Sequence, residues 1–210
     1  MESVSLKKTS LIIALFMVIT SLILKAQGYD SLISAFQQSY LNEASGDNIK
    51  AIENLRAVYK EDSYEINLRL GYLCYLSGRF SESLAYYNKA VDLMPFSIEA
   101  RLGIVLPASA MGNWSQVIRH YEKILEIAPN YSIVLHRLGL IYYGREDFST
   151  AERYFEKVVN LFPFDYDGLT MLAWTKFRLN KVREAKVLFY KALLNTPSGS
   201  SAAEGLELLK

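Results

Sequence analysis

The chain has 210 residues, a single cysteine and a formal net charge of +1. One cysteine excludes an internal disulfide, and the near-balanced charge leaves no basic footprint for nucleic acid. Hydrophobic residues make up 51% and aromatic residues 13%, enough apolar material for a substantial buried core.

The first 26 residues read as an export segment. Lys7 and Lys8 precede an uncharged apolar run from Leu11 to Leu24. That run is shorter than the roughly 20 residues of a comfortable membrane span and matches the core of a secretory signal peptide. Ala26-Gln27-Gly28 follow as a small and polar cleavage region. The alternative is an uncleaved N-terminal anchor, with Thr9, Ser10 and Lys25 at its ends; residues 11–24 would then be the one membrane contact. In both cases the lysine pair stays in the cytoplasm and the remainder crosses. The expected location is therefore the periplasm or cell envelope. No cysteine lies near the cleavage region, which excludes a lipoprotein anchor. Lys7, Lys8, Lys25 and Glu2 lie in this segment, so 20 of the 23 basic and 21 of the 22 acidic residues remain beyond it.

Residues 32–63 read as a degenerate helix pair. Gly46-Asp47 marks its turn, Ala51, Leu55 and Val58 its second-helix core, and Lys60-Glu61-Asp62-Ser63 a short closing turn. Four regular units follow, at 64–97, 98–131, 132–165 and 166–197. Their prolines, Pro95, Pro129, Pro163 and Pro197, fall 34 residues apart. With proline at position 32, the units start at Tyr64, Ile98, Ser132 and Tyr166. Position 7 is Leu70, Ile104, Leu138 and Leu172. Position 17 is Phe80, Trp114, Phe148 and Val182. Position 24 is Tyr87, Tyr121, Phe155 and Phe189, and position 27 is Ala90, Ile124, Val158 and Ala192. Small residues at position 8 (Gly71, Gly139, Ala173) and position 20 (Ser83, Ala151, Ala185) allow two helices to approach closely. Proline ends the second helix of each unit. Ser81, Ser115 and Ser149 are expected to cap the second helices, Ser149 with Glu152 as a capping box. Gly78, Gly112 and Asn180 suit a left-handed turn residue. Pro107 falls inside a first helix and predicts a kink there. Residues 198–210 read as a short C-terminal capping helix.

A fixed period of 34 is the signature of a helix–turn–helix solenoid. The run Leu70-Gly71, Tyr75, Gly78-Arg79-Phe80, Ser83, Tyr87, Ala90 and Pro95 resembles the tetratricopeptide repeat family. So does Leu138-Gly139, Tyr142, Phe148, Ala151, Phe155 and Pro163. The resemblance covers about residues 32–197. It implies an all-α, right-handed superhelical solenoid of about five helix–turn–helix repeats.

Residues that carry chemistry are sparse. His120 and His136 lie on different helices, and no Cys, Asp or Glu joins them at ligand spacing, so no metal or other cofactor is expected. His120 is expected on a partly exposed helix face. Asp165 and Asp167 flank a turn and suit helix capping. There is no phosphate-cradling loop, nucleophile elbow or paired catalytic carboxylates, so no catalytic residue is assigned. Cys74 is expected to be a buried small hydrophobe.

The resemblance further implies a concave groove lined by the first helix of each unit. The residues carried onto it are Leu68, Tyr72 and Tyr75; Leu102 and Leu106; His136, Leu140 and Tyr143; and Trp174, Phe177 and Arg178. This stripe is apolar and aromatic where a purely structural helix would be polar. Tyr72, Tyr75, Tyr143 and Trp174 are the expected anchors, with Arg178 orienting an acidic group. The expected function is a non-enzymatic scaffold of the cell envelope that binds a peptide or protein partner in this groove. The alternative is a structural subunit whose apolar stripe is permanently buried by self-association or in a hetero-oligomer.

Overall fold

A computed structural model describes residues 29–210, which form eleven α-helices and no strand. Residues 1–26, the expected export segment, therefore lie outside the described residues. The chain divides into two compact units at Met111 and Gly112.

The first unit holds α1 (29–44), α2 (Asn48–Arg56), α3 (Tyr64–Leu76), α4 (Phe80–Leu93) and α5 (Ile98–Ala110). Ala51, Ile52 and Leu55 of α2 bury against Ile66, Leu70, Leu73 and Cys74 of α3, with Leu32 and Phe36 of α1 packed on the same core. The Tyr87 ring of α4 is held between two glycines. A Cβ at Gly71 would lie 2.8 Å from that ring, and one at Gly103 2.2 Å. Both glycines are therefore space requirements, because any side chain there displaces the ring. Gly103 looks like a register slip in the sequence; structurally it is the seat of the preceding unit's aromatic residue. Ser83 is buried, and its hydroxyl donates to the Gly71 carbonyl at 2.7 Å, which removes the cost of burying it. α5 runs uninterrupted through the buried Pro107, and only its last turn follows the ring.

The second unit holds α6 (Trp114–Ile127), α7 (Ser132–Gly144), α8 (Phe148–Leu161), α9 (Tyr166–Arg178), α10 (Val182–Asn195) and α11 (Ser200–Glu207). Phe155 and Phe189 are fully buried, and each meets a glycine: a Cβ at Gly139 would lie 2.6 Å from Phe155, and one at Gly205 2.3 Å from Phe189. Ala173, Ala185, Ala192 and Ala202 complete the core around Phe189. α11 starts at Ser200, one period of 34 after Tyr166.

The turns between paired helices require a left-handed residue at one register position. Gly78, Gly112, Glu146 and Asn180 take it, with φ of 71°, 70°, 61° and 59°. The caps differ from the serine assignment. The residues at the head of the second helices are Arg79, Asn113, Asp147 and Lys181. Asn113 accepts from the Gln116 amide and Asp147 from the Thr150 amide. Ser115 and Ser149 instead donate to those two side chains, at 3.0 and 2.9 Å, and so brace the caps. Glu152 is engaged by lysines rather than by a capping box. First helices are capped by Ser63, Ser97 and Asp165. His120 is a second correction: it is buried, at 7% exposure. It shares its register position with Tyr86, Tyr154 and Leu188, all half-buried, so the position is semi-internal in every unit.

Candidate functional site

In the first unit the groove residues sit at the margin of the core. Leu68, Tyr75 and Leu102 are half-buried, and Tyr72 and Leu106 are just exposed, at 37% and 36%. Tyr75 leans on Phe80 at 6.0 Å between ring centroids. Tyr72 belongs to an arrangement that the register pattern does not reveal. The Arg69 guanidinium lies 3.9 Å above the Tyr40 ring and 5.9 Å from the Tyr72 ring, and it pairs with Glu43 at 2.5 Å. Arg69 is buried to 8% exposure, so its charge is compensated by one carboxylate and two aromatic faces. The visible signal is an arginine between Leu68 and Leu70, in a stretch that is otherwise uncharged and mostly apolar from Leu68 to Leu76.

In the second unit the residues fall into three places. His136 and Leu140 of α7 share an open pocket of about 580 Å³ with Ile133, Phe162 and Asp167. Ile133, Leu140 and Phe162 are exposed at 56%, 41% and 51%, giving the pocket an apolar wall. His136 packs edge-on against Phe155 at 5.6 Å, and its Nε2 is buried without a hydrogen-bond partner among the described residues. Asp165 and Arg137 also line it; Asp165 already accepts from the Gly168 amide at 2.7 Å, whereas no described cation pairs with Asp167. Tyr143 and Arg178 meet around a different ring, Phe148. Tyr143 approaches it edge-on at 5.2 Å, and the Arg178 guanidinium lies 4.4 Å over it, 3.7 Å from the Glu146 carboxylate.

Trp174 and Phe177 form the third group, half-buried beside the core around Phe189. Trp174 packs edge-on against Phe177 at 5.8 Å and Phe189 at 5.1 Å, and its indole N–H donates to the Ser201 hydroxyl at 2.9 Å. The hydrogen bond that an anchor would offer a partner is thus used by α11. Trp174 is a half-buried strut between α9 and the terminal helix.

Among the described residues no cluster of three metal-ligating side chains exists, and no helix is long and apolar enough to cross a membrane. Cys74 is a buried free thiol; burial pushes its pKa up, away from the reactive thiolate.

Helix pairs at a 34-residue spacing, with glycine seats for the Tyr87, Phe155 and Phe189 rings, define a helical-repeat protein. The model of the EMC2 TPR-like repeat domain matches residues 85–201, and that of the tetratricopeptide repeat matches residues 38–98. The chain belongs to the tetratricopeptide repeat family. It is 29% identical over 149 residues to the human protein O-mannosyl-transferase TMTC1; this covers 70% of the chain but 17% of that protein's length. Among solved structures it is similar to a tetratricopeptide repeat protein from Parabacteroides merdae, with a TM-score of 0.72 and 20% identity over 86% of this chain and 72% of that one. It is also similar to MamA from Desulfovibrio magneticus (TM-score 0.67, 19% identity, 81% and 97% covered). YrrB, described as a TPR protein with an unusual peptide-binding site, gives a TM-score of 0.67 at 12% identity, with 84% and 92% covered. The shared fold suggests a protein–protein interaction scaffold.

Proposed function

We propose that the protein is a non-enzymatic scaffold of the cell envelope that holds a partner peptide or protein on its first-helix faces. The pocket on α7 carries this reading, because it joins His136 and Leu140 to an exposed apolar wall, with Asp165, Asp167 and Arg137 as its charged lining. Such a site suits an extended segment with one apolar side chain for Leu140 and Phe162 and a cationic or amide group for Asp167. Within the first unit, Tyr40, Tyr72 and Leu106 are exposed at 55%, 37% and 36% and offer contact area of their own. Envelope location rests on Lys7, Lys8 and the apolar run 11–24.

The test is site-specific photocrosslinking in cells. Benzoylphenylalanine at position 140 should yield a discrete adduct that Asp167→Asn weakens, while the probe at position 126 on the exposed face of α6 should not. Equal adducts from both positions would remove the pocket as the recognition surface. Release of the protein by osmotic shock, or its retention with membranes, tests the location.

A further inference from the structure

The outward face of α10 departs from every other second helix. Val187, Tyr190 and Leu194 are 62%, 54% and 73% exposed. They stand at i, i+3 and i+7, on one stripe about 10 Å long. The same register positions hold Ala85, Asn88 and Asp92 in α4, Arg119, Glu122 and Glu126 in α6, and Arg153, Glu156 and Asn160 in α8. Eight of these nine are polar, as a solvated face requires. The matching faces of helices that are followed by a further pair stay largely open: Arg119, Glu122 and Glu126 of α6 are exposed, as are Arg153 and Asn160 of α8, where Glu156 alone is half-buried, beside Lys176 of α9.

The stripe has a charged border. Arg183 lies one turn before Val187, Lys186 one turn before Tyr190, and Lys191 one turn before Leu194. None of the three forms an ion pair among the described residues, whereas Lys176 and Lys181 nearby are fully paired. Arg183 and Lys186 are also peculiar to α10: their counterparts are Ser149 and Glu152 in α8, and Ser115 and Ile118 in α6. Beside the stripe, α8, α9 and α10 enclose a cleft of about 510 Å³, with Val159, Leu172, Val187 and Leu188 on its walls and Arg183 among its lining residues.

We propose that this face docks an amphipathic helix of a partner protein, with apolar side chains on Val187, Tyr190 and Leu194 and acidic side chains against Arg183, Lys186 and Lys191. Helix-in-groove recognition uses this i, i+3, i+7 spacing, and opposite charge selects the partner. A second copy meeting α10 face to face would bring the three cations against their own counterparts. A flat anionic bilayer would match the cations but leave the cleft unfilled. The site is separate from the α7 pocket, and its failure would leave the reading of that pocket untouched.

The test uses the purified full chain and a fluorescein-labelled helical peptide of about 18 residues, long enough to hold helix, built from leucine on one face and glutamate on the other. A lysine-for-glutamate version and phosphatidylglycerol vesicles are the comparison arms. Binding of the glutamate peptide, read by anisotropy, should fall at least about tenfold in Leu194→Glu and in Tyr190→Glu. The charge-reversed variant Arg183→Glu, Lys186→Glu, Lys191→Glu should lose the glutamate peptide and gain the lysine one. Arg153→Glu, at the matching position of α8, should change little. Benzoylphenylalanine at position 190 should crosslink the peptide, and at position 153 should not. The proposal is overturned if the peptide binds all variants alike, if charge reversal leaves the preference unchanged, or if only the vesicles bind through α10.

Discussion

Lys176 is the most demanding test of how the second unit is held together. Its ammonium, 9% exposed, contacts Glu152 at 2.5 Å, Glu156 at 2.8 Å and Glu184 at 2.8 Å, joining α8, α9 and α10. Lys176→Met keeps most of the apolar stem and removes the charge. Glu156 and Glu184 are 45% and 57% exposed, so they return to water, and their pairs count as surface pairs of about 0–1 kcal/mol. Glu152 is 13% exposed and cannot do so. A buried carboxylate that loses its partner costs about 3–5 kcal/mol, reduced here because Lys181 still donates to Glu152 at 2.7 Å. The expected loss is about 2–3 kcal/mol, or about 4–12 °C in Tm for a chain of this size, measured by circular dichroism at 222 nm. Lys176→Met with Glu152→Gln should recover at least half of it, because no buried charge is then left unpaired. The pH dependence follows from the same contacts. Burial alone would lower the Lys176 pKa, but the three carboxylates outweigh it and raise the pKa above the ordinary 10.5. Its contribution is therefore complete below pH 10.5 and is lost as pH rises through the raised value. Burial alone would raise the Glu152 pKa, but hydrogen bonds from Lys176 and Lys181 outweigh it and hold the pKa below the ordinary 4.5. Its contribution is present above pH 4.5 and is lost as pH falls through the lowered value. Stability should be flat between these limits and fall on both sides, less steeply in Lys176→Met. A variant as stable as the parent to within about 0.5 kcal/mol, the scatter of ordinary surface changes, would refute the reasoning.

Gly103→Ala places a methyl 2.2 Å from the Tyr87 ring and should cost about 1–3 kcal/mol by overpacking, read as a lower denaturation midpoint. Gly205→Ala should do the same against Phe189 and loosen α11. Asn113→Ala should cost about 1 kcal/mol as a lost helix cap, and Ser115→Ala clearly less, in thermal melts. Cys74 should react with a thiol reagent only at the rate of unfolding, and a fast phase in the native protein would contradict its burial.

The fold was legible because repetition multiplies a weak signal. One aromatic residue 16 positions after a small residue means little, whereas three such pairs on a 34-residue period, with Val105 and Tyr121 in the same register, specify a helix pair each time. The same regularity misled where a side chain had two equivalent uses. Ser115 and Ser149 stand two residues inside the helix start, and a serine near a start reads as a cap. The residues that do cap, Asn113 and Asp147, are flanked along the chain by Arg79 and Lys181, which have no side-chain acceptor for an amide. That position therefore had no visible rule. Glu146 was hidden for the same reason: its left-handed backbone is dictated by its neighbours' register and not by its own preference.

The sites were legible only in part, because register gives the face of a helix and not what already occupies it. Leu140 and Trp174 both fall on the first-helix stripe. Leu140 keeps 41% of its surface free, whereas Trp174 has its indole N–H bound to Ser201, 27 residues on. Only the position of α11 separates the two, and that is a tertiary fact. Arg69 shows the converse, since its partners Glu43 and Tyr40 come from the irregular first pair, where no period exists to carry the inference. The stripe on α10 was readable all along, but only by subtraction. The period states what a solenoid needs at each position, so a residue that serves the stack recurs, and one that serves a partner breaks the series. Val187, Tyr190 and Leu194 break it together, on one face, with Arg183 and Lys186 breaking it beside them. Unrelated drift would scatter such departures around the helix, and their concentration on one exposed stripe is what points outward to a ligand.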